Sequence, residues 1–412
     1  MAAAHRTYLV AVCVMFIVTT FVGSSWAIVH ELNSDNIAKF LKGKLLTLIF
    51  VDSPSCSRCR ILYPFFVAAS QAFPNNPEIF FSRTHDRNLI KQWGVSELPV
   101  IMHHRVGMKT QQQLKIDVTV DGIIDEIARL LQGNFADIKR TYSININYKN
   151  YDELIVASQQ YTLILVHDKD DHNEREVIEQ LAYTFRNDDA IMFASLDLVT
   201  QRKLRDEIFM TKETPVVMWI SHDDKKTPMR FGAVLSHELL TQFVNERTLL
   251  QRELSGDLMP EAGLIPLADE IINSYVALIM EGKTEQMQSA IYSIEKLLET
   301  SERHHAEMVE YYLYILENIV ANGASTSVKD IFKKLDQILV DKEGLSVKQK
   351  DIVSRKRNII AHFLNLQQNY NTEQEALLKE KLQLELENKG KDKKSQRKTQ
   401  KIHEPITNRE EL

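Results

Sequence analysis

The sequence predicts two α/β domains in tandem, followed by an all-α helical domain and a charged, disordered tail. Three observations support this order. Two apolar runs of strand length, residues 45–52 and 161–167, each precede an amphipathic helical pattern. Apolar residues then recur with helical spacing over residues 265–366, and residues 389–401 are rich in lysine and contain no aromatic residue.

The amino terminus predicts a cleaved signal peptide, residues 1–27. Arg6 precedes an apolar run over residues 8–22, and Ser25 and Ala27 are small residues at the two positions that signal peptidase recognises. The alternative is a membrane anchor, but roughly fifteen mostly apolar residues are short for a bilayer core that needs about twenty. We therefore expect a mature chain without a membrane span.

The carboxyl terminus carries a second targeting signal. Residues 409–412 are Arg-Glu-Glu-Leu, which resembles the Lys-Asp-Glu-Leu retrieval signal. Because the two terminal signals are independent and describe one route, they predict residence in the lumen of the endoplasmic reticulum and binding of the retrieval receptor. The formal net charge of -6 gives no reason to expect nucleic acid as a partner.

Cysteine usage points to redox chemistry. Of the three cysteines, Cys13 leaves with the signal peptide, and Cys56 and Cys59 form a Cys-x-x-Cys pair. No framework of structural disulfides remains. In an oxidising compartment, two cysteines in one turn are better explained by thiol-disulfide exchange than by stabilisation of the fold.

The first α/β domain is predicted to cover residues 28–138, with the cysteine pair between its first long strand and a helix. The predicted strands and helices of this domain cover residues 45–52, 60–73, 79–82, 87–93, 98–102 and 123–131. The order βαβαβ, followed by a hairpin and a last helix, is a thioredoxin-like layout.

The same plan recurs over residues 139–254, which predicts a second thioredoxin-like domain. Its strands and helices are predicted at residues 161–167, 174–185, 191–196 and 214–219. Placing Phe185 opposite Phe73 without gaps puts Asp168 and Asp171 where Cys56 and Cys59 stand. The second domain is therefore expected to be redox-inactive.

The rest of the chain is predicted to divide into a helical domain, residues 255–368, and a charged tail, residues 369–412. The expected helices of this domain cover residues 265–280, 284–299, 305–321, 326–340 and 347–364. The tail is expected to be a frayed helix that becomes disordered.

The cysteine pair has residue types suited to nucleophilic exchange. At the amino terminus of a helix, unpaired amides and the helix dipole lower a thiol pKa from about 8.5 toward neutrality. Cys56 would attack, Cys59 would resolve the mixed disulfide, and the fixed charge of Arg58 would favour the thiolate. An inert, permanently closed disulfide is the alternative. A zinc site lacks a second Cys-x-x-Cys pair, so we expect no metal and no cofactor.

These motifs resemble the protein disulfide isomerase family, and within it the members that end in an all-helical D domain. The resemblance covers most of the mature chain and is carried by Pro54-Ser55-Cys56-Ser57-Arg58-Cys59 with Pro64, by Leu98-Pro99 and Thr214-Pro215, and by residues 243–247 leading into residues 255–263. It implies that Leu98 and Pro99 form a substrate-binding site opposite the cysteine pair, with a cis bond. From sequence alone, an ordinary trans proline at a strand start would be the default.

Two functional hypotheses follow. The first is a thiol-disulfide oxidoreductase that acts on unfolded or folding secretory polypeptides. The second is a non-catalytic lumenal chaperone or escort factor for such polypeptides. The acid that family members bury on the strand before the cysteines falls at Phe50, and Asp52 stands at another place in the register. We therefore expect slow release of substrate by Cys59. The oligomeric state stays open, with a homodimer as one alternative.

Overall fold

The computed structural model describes residues 29–74, 76–133, 138–281, 283–341 and 344–401. The expected signal peptide and the terminal Arg-Glu-Glu-Leu lie outside these residues. The chain divides into two compact units, one extending to Met259 together with Ser346–Lys348, and the other comprising the remainder. Among the described helices, none combines the length and the apolar character that crossing a membrane requires.

The first α/β domain is built on a five-stranded mixed sheet. Its elements are β1 (His30–Glu31), α1 (Ile37–Leu41), β2 (Leu46–Val51), α2 (Ser57–Gln71), β3 (Ile79–Thr84), α3 (Arg87–Gln92), β4 (Val100–Arg105), β5 (Gln112–Gln113) and α4 (Val120–Leu131). The strand order is β1-β3-β2-β4-β5. Strand β3 runs parallel to β1 and β2, whereas β4 is antiparallel to both β2 and β5.

Strand β2 lies in the centre of this sheet and is buried along its whole length. Successive side chains of a strand point to opposite faces, which is why the run is apolar throughout. Leu48 and Phe50 join the core formed with α2 and α4. Ile49 and Val51 join the core on the other face, with α1 and α3.

The second α/β domain repeats this architecture, so the expected tandem of thioredoxin-like domains is confirmed. Its elements are β6 (Ile144–Asn145), a π-helix (Asp152–Val156), β7 (Tyr161–His167), α5 (His172–Thr184), β8 (Ile191–Asp197), α6 (Arg202–Leu204), a second π-helix (Arg205–Phe209), β9 (Val216–Ile220), β10 (Met229–Arg230) and α7 (His237–Thr248). Read from its other edge, the strand order β6-β8-β7-β9-β10 matches that of the first sheet.

The position equivalent to Cys56 in this repeat is Asp171, and the gapless alignment to Asp168 is wrong. Cys56 is the N-cap residue of α2, and Asp171 is the N-cap residue of α5. Helix α5 has 13 residues and α2 has 15, and Phe185 is the C-cap of α5 whereas Phe73 lies one residue beyond the C-cap of α2. An alignment anchored on these two phenylalanines therefore loses the register at the amino ends of the helices. Asp168 precedes the helix, and its amide donates to the Asp171 carboxylate at 2.7 Å.

A buried ion pair lies at the carboxyl-terminal end of the second domain. Arg252 donates from Nε and Nη2 to the two carboxylate oxygens of Asp188, at 2.7 and 3.0 Å. Its Nη1 donates to the carbonyl of Gly256 at 2.8 Å. Only 2% of the Arg252 side chain and 5% of the Asp188 side chain are exposed. This pair fixes the segment that the sequence marks as the junction to the helical domain.

The second unit is helical. Its helices are α8 (Pro266–Met280), α9 (Thr284–Thr300), α10 (Arg303–Asn322), α11 (Ala324–Asp341) and α12 (Val347–Lys401). Tyr312 is fully buried, and its hydroxyl donates to Asp269 and accepts from the amide of Ile265. Gly263 has a φ of +96°, and a Cβ there would lie 2.8 Å from the carbonyl oxygen of Arg355, so the position requires glycine.

The expected disordered tail differs from the structure, in which α12 continues to Lys401. Glutamate, lysine, glutamine and leucine dominate the segment after residue 369, and these are good helix formers. Leu377, Leu382 and Leu386 are exposed on it. Residues 402–412 lie outside the described part of the chain.

Candidate functional site

The cysteine pair lies where β2 passes into α2. Cys56 is the N-cap residue of α2, with extended backbone angles, and the amide of Cys59 donates to its Sγ at 3.0 Å. The two sulfur atoms are joined as a disulfide. Cys56 is half-buried, whereas only 1% of Cys59 is exposed. A reagent from solvent therefore meets Cys56 before Cys59.

The loop before the pair is held by its own polar groups. The amide of Cys56 donates to the carbonyl of Ser53 at 3.0 Å, and the hydroxyls of Ser53 and Ser55 lie 3.0 Å apart. Arg60 donates from Nη1 to the carbonyl of Pro54 at 2.9 Å. Arg58 is exposed on the first turn of α2. Two arginines thus place positive charge beside a helix amino terminus, where a thiolate is favoured.

Leu98 and Pro99 precede β4, the strand that pairs with β2. Both are half-buried, and the peptide bond between them is cis, as is the bond between Thr214 and Pro215 in the second domain. Leu98 packs against the apolar cores on both faces of the first sheet.

Phe50 occupies the core below the pair. It is fully buried, and its ring centroid lies 5.4 Å from those of Tyr63 and Phe66, which both belong to α2. An aromatic side chain therefore fills the space in which the resemblance places a buried acid.

A buried carboxylate is nevertheless present two residues after Phe50. Asp52 is 1% exposed, and its Oδ2 accepts from Nε and Nη2 of Arg83, at 2.8 and 2.6 Å. Burial opposes the charge of Arg83, but the hydrogen bond and the negative charge of Asp52 outweigh it and raise the Arg83 pKa. Nη1 of Arg83 pairs with Glu153 of the second α/β domain. Sequence analysis assigned no role to Asp52, Arg83 or Glu153.

Tyr63 completes this cluster. The guanidinium carbon of Arg83 lies 4.2 Å from the Tyr63 ring centroid, and burial raises the pKa of the Tyr63 hydroxyl to about 12. Burial also raises the pKa of Glu31, against the opposing charge of Arg83. Helix α2 thus packs beside a charged group of residues from β1, β3 and the end of β2.

One group of residues in the described part of the chain has the spacing of metal ligands. Glu302, His304 and His305, at the start of α10, bring one ligand atom each within 4.8 Å of one another. Three ligands leave open the fourth position that structural zinc sites close. His103 and His104 are successive residues of β4 and therefore point to opposite faces of the sheet.

Comparison with known proteins finds relatives of both units. The family model of the C-terminal domain of the endoplasmic reticulum protein ERp29 matches residues 263–363. A probable protein disulfide-isomerase A6 of Medicago sativa is 20% identical over 354 residues, which is 83% of this chain and 94% of that protein. A protein disulfide isomerase-like 2-2 of Oryza sativa subsp. japonica is 19% identical, over 76% of this chain and 83% of that protein.

Among solved structures, the zinc-bound form of human ERp44 is 17% identical to this chain, with a TM-score of 0.24. The alignment covers 53% of this chain and 59% of the ERp44 chain. A further structure of human ERp44 aligns with 55% of this chain, at 17% identity and a TM-score of 0.25. The tandem α/β domains, the two plant relatives and the matched helical domain agree with one another, and together they support a member of the protein disulfide isomerase family with a C-terminal helical domain.

Proposed function

We propose that this protein is a thiol-disulfide oxidoreductase of the endoplasmic reticulum lumen that acts on folding secretory polypeptides through Cys56 and Cys59. The observation that carries the proposal is the asymmetry of the pair. Cys56 is accessible at a helix amino terminus, and Cys59 is buried one turn further along. Attack requires an accessible thiolate, and resolution requires a second thiol held next to the first.

The reaction has two steps. The Cys56 thiolate attacks a disulfide of the polypeptide, and one client sulfur leaves as a thiolate while a mixed disulfide forms. Cys59, once deprotonated, attacks Cys56 Sγ and releases the other client sulfur. The client disulfide gains two electrons, and the Cys56–Cys59 disulfide forms; the reverse sequence oxidises a client dithiol. Arg58 favours the Cys56 thiolate, and Leu98 with Pro99 holds the client backbone.

The roles of the two cysteines are tested by trapping. Cys59→Ala should accumulate mixed disulfides between Cys56 and client proteins, seen as bands that collapse on reduction. Cys56→Ala should give none, and the variant lacking both cysteines is the control for non-covalent capture. Equal trapping by the two single variants, or trapping by neither, would exclude these roles.

A second candidate function is a chaperone or escort factor that holds clients without exchange. It is favoured by the absence of cysteine from the second α/β domain and by Phe50 in the core of the first. It predicts that clients remain bound to the variant lacking both cysteines.

The location of the protein is part of the proposal, and the two terminal signals support it. Removing residues 409–412 should send the protein into the medium. If the truncated protein stays in the lumen while it binds no client, retrieval through this signal is excluded.

A further inference from the structure

The helix that carries Cys59 has arginines where helices ordinarily have acids. From residue 53 to residue 77 the chain contains Arg58 and Arg60 and neither aspartate nor glutamate. Both arginines are among the first four residues of α2. The amino end of a helix is its positive end, so two cations there oppose the helix dipole and lower the stability of the helix. Stabilisation of the fold therefore does not explain their position.

Neither charge is neutralised by a carboxylate of the protein. Arg58 is exposed, and Arg60 donates from Nη1 to the carbonyl of Pro54, a neutral acceptor, at 2.9 Å. In the part of the chain that the structure describes, neither guanidinium forms an ion pair. Arg83, by contrast, pairs with two carboxylates. The two positive charges of α2 thus remain available to an anion from another molecule.

Both charges belong to the segments on either side of the sulfur that a client must approach. Arg58 follows Cys56 by two residues, on the first turn of α2. Arg60 reaches back from that turn to Pro54, which precedes Cys56 by two residues. A helical turn rises only about 5.4 Å, so both arginines begin close to the accessible cysteine.

The facing loop carries a single acid. Strand β4 begins beside the end of β2 that leads to Cys56, which brings the loop before Pro99 to the cysteine pair. Glu97 is exposed in that loop. Asp52 is buried and paired with Arg83, so this pair adds no net charge. The two segments that border the accessible cysteine therefore present two positive charges and one negative charge.

We propose that Arg58 and Arg60 select client cysteines that have aspartate or glutamate beside them; the inference deepens the proposed function and rests on it. The Cys56 thiolate attacks one sulfur of the client disulfide, the bond between the two client sulfurs breaks, and the second sulfur leaves as a thiolate. A carboxylate next to the attacked sulfur approaches the arginines in this step. Their attraction raises the rate of attack for acidic clients, and repulsion lowers it for basic ones.

Coulomb's law gives the expected size of the effect. One pair of unit charges about 7 Å apart in water changes a rate by roughly threefold. Exchanging an acid for a lysine beside the client cysteine turns attraction into repulsion, which changes the rate by roughly tenfold for one arginine at that distance. Salt screens these charges, because the Debye length falls from about 30 Å at 0.01 M to about 3 Å at 1 M ionic strength. Selection should therefore disappear at high salt.

The test measures the attack of the reduced full chain on three matched peptides. Each probe is the symmetric disulfide of a short, terminally blocked peptide whose cysteine is flanked on both sides by glutamate, by glutamine or by lysine. Acid quenching and mass spectrometry follow the loss of reduced Cys56. Dithiothreitol, reacted with the same peptides, gives the reactivity of each one toward a thiolate that has no arginine beside it.

The result expected for the wild type is a ratio of rate constants. After division by the dithiothreitol values, attack on the glutamate peptide should exceed attack on the lysine peptide by about tenfold at about 0.01 M ionic strength. The ratio should approach one at about 1 M, and the glutamine peptide should lie between the two others.

Substitution of the arginines separates selection from tuning of the thiolate. A change in thiolate content alters attack on all three peptides by the same factor, whereas loss of selection alters the ratio between them. Arg58→Gln and Arg60→Gln should each lower the glutamate-to-lysine ratio by about threefold or more, and Arg58→Lys should retain it.

Arg105→Gln is the matched control. Arg105 is exposed and ends β4, about 17 Å along the strand from the end that lies beside the cysteine pair. At that distance one charge changes a rate by less than about 1.5-fold in water, so this variant should keep the wild-type ratio.

Equal corrected rates for the three peptides would overturn the selection of acidic clients, as would a wild-type ratio in both Arg58→Gln and Arg60→Gln. Either result would leave the proposed oxidoreductase standing, because the peptide disulfides would still be reduced. If the reduced protein attacks none of the three peptides, the proposed function fails, and the selection fails with it.

Discussion

Arg83 binds a single oxygen of the Asp52 carboxylate with two of its nitrogens, Nε at 2.8 Å and Nη2 at 2.6 Å. The pair joins the ends of two neighbouring strands beneath α2. Both side chains are largely withdrawn from water, with 2% of Asp52 and 16% of Arg83 exposed. Asp52 at this depth depends on Arg83, because without the guanidinium its carboxylate would be a buried, uncompensated charge.

Arg83→Met should therefore destabilise the first α/β domain. The methionine keeps much of the side-chain volume but leaves the Asp52 carboxylate without its counter-charge, for which we expect a loss of about 3–5 kcal/mol in the free energy of unfolding. Hydrogen exchange of the β2 and β3 amides measures this free energy domain by domain. Arg83→Lys, which keeps the charge, is the control and should lose less. If the β2 and β3 amides of Arg83→Met were as protected from hydrogen exchange as those of the wild type, the ion pair would not stabilise this domain.

The buried ion pair between Arg252 and Asp188 offers a second test of how a buried charge depends on its partner, by means of a double-mutant cycle. Arg252→Met should cost about 3–5 kcal/mol, because Asp188 stays buried with its charge. The double variant Arg252→Met with Asp188→Leu leaves no buried charge and should recover part of that loss. Amide exchange in α7 and β8 provides the measurement. Losses that simply add, with no coupling free energy, would show that the two side chains do not depend on each other.

Gly263→Ala tests the close approach within the helical unit. The new Cβ would lie 2.8 Å from both the Cβ and the carbonyl oxygen of Arg355, and the backbone has a φ of +96°. Gly323→Ala is the control, because its φ is +82° but nothing lies within 4 Å of the added Cβ. Positive φ alone should cost about 1–3 kcal/mol in each variant. Thermal unfolding should show a greater loss of stability for Gly263→Ala than for Gly323→Ala. Equal losses would mean that the close contact with Arg355 is relieved without cost.

Lys225 should make the stability of the second domain depend on pH. Burial lowers its pKa from an ordinary value of 10.5 to about 8, and the charge of Asp223 opposes this only in part. The unfolded chain therefore binds the proton more tightly between these values, so stability should rise as the pH increases from 8 to 10.5. The penalty below pH 8 is at most about 3 kcal/mol, and less after solvent screening.

Lys225→Gln should remove this rise, while Lys226→Gln, at an exposed neighbour, should retain it. Urea unfolding at a series of pH values compares the two variants directly. A rise of equal size in both would assign the pH dependence to other groups.

Much of the fold is predictable because its signals are local. The central strands β2 and β7 are long apolar runs, and their helices have regular apolar spacing, so their order defines the two domains. Edge strands such as β1 and β5 have two residues each and carry no periodic signal. Asp168 is wrongly aligned with Cys56 because the equivalent helices differ in length and because Phe73 and Phe185 stand at different distances from the ends of their helices. The apolar spacing within one repeat does not show either difference.

The candidate site, like the fold, has residues that the sequence identifies and residues that it does not. Cys56 and Cys59 are recognised from their spacing alone. Asp52 and Arg83 are 31 positions apart, and Arg83 and Glu153 are 70 apart, so only the folded sheets bring them together. Strand parity could have shown that Asp52 shares a face with Phe50. It could not have supplied Arg83 or Glu153 as partners.

The redox equilibrium of the Cys56–Cys59 pair tests the central claim most directly. The purified full chain is equilibrated in glutathione buffers of graded ratio, acid-quenched, alkylated, and scored for reduced and oxidised pair. An exchanger of the lumen should be half reduced near the lumenal poise, about -180 to -210 mV. A midpoint below about -300 mV would mean a structural disulfide that the lumen does not open, and it would contradict the proposed oxidoreductase.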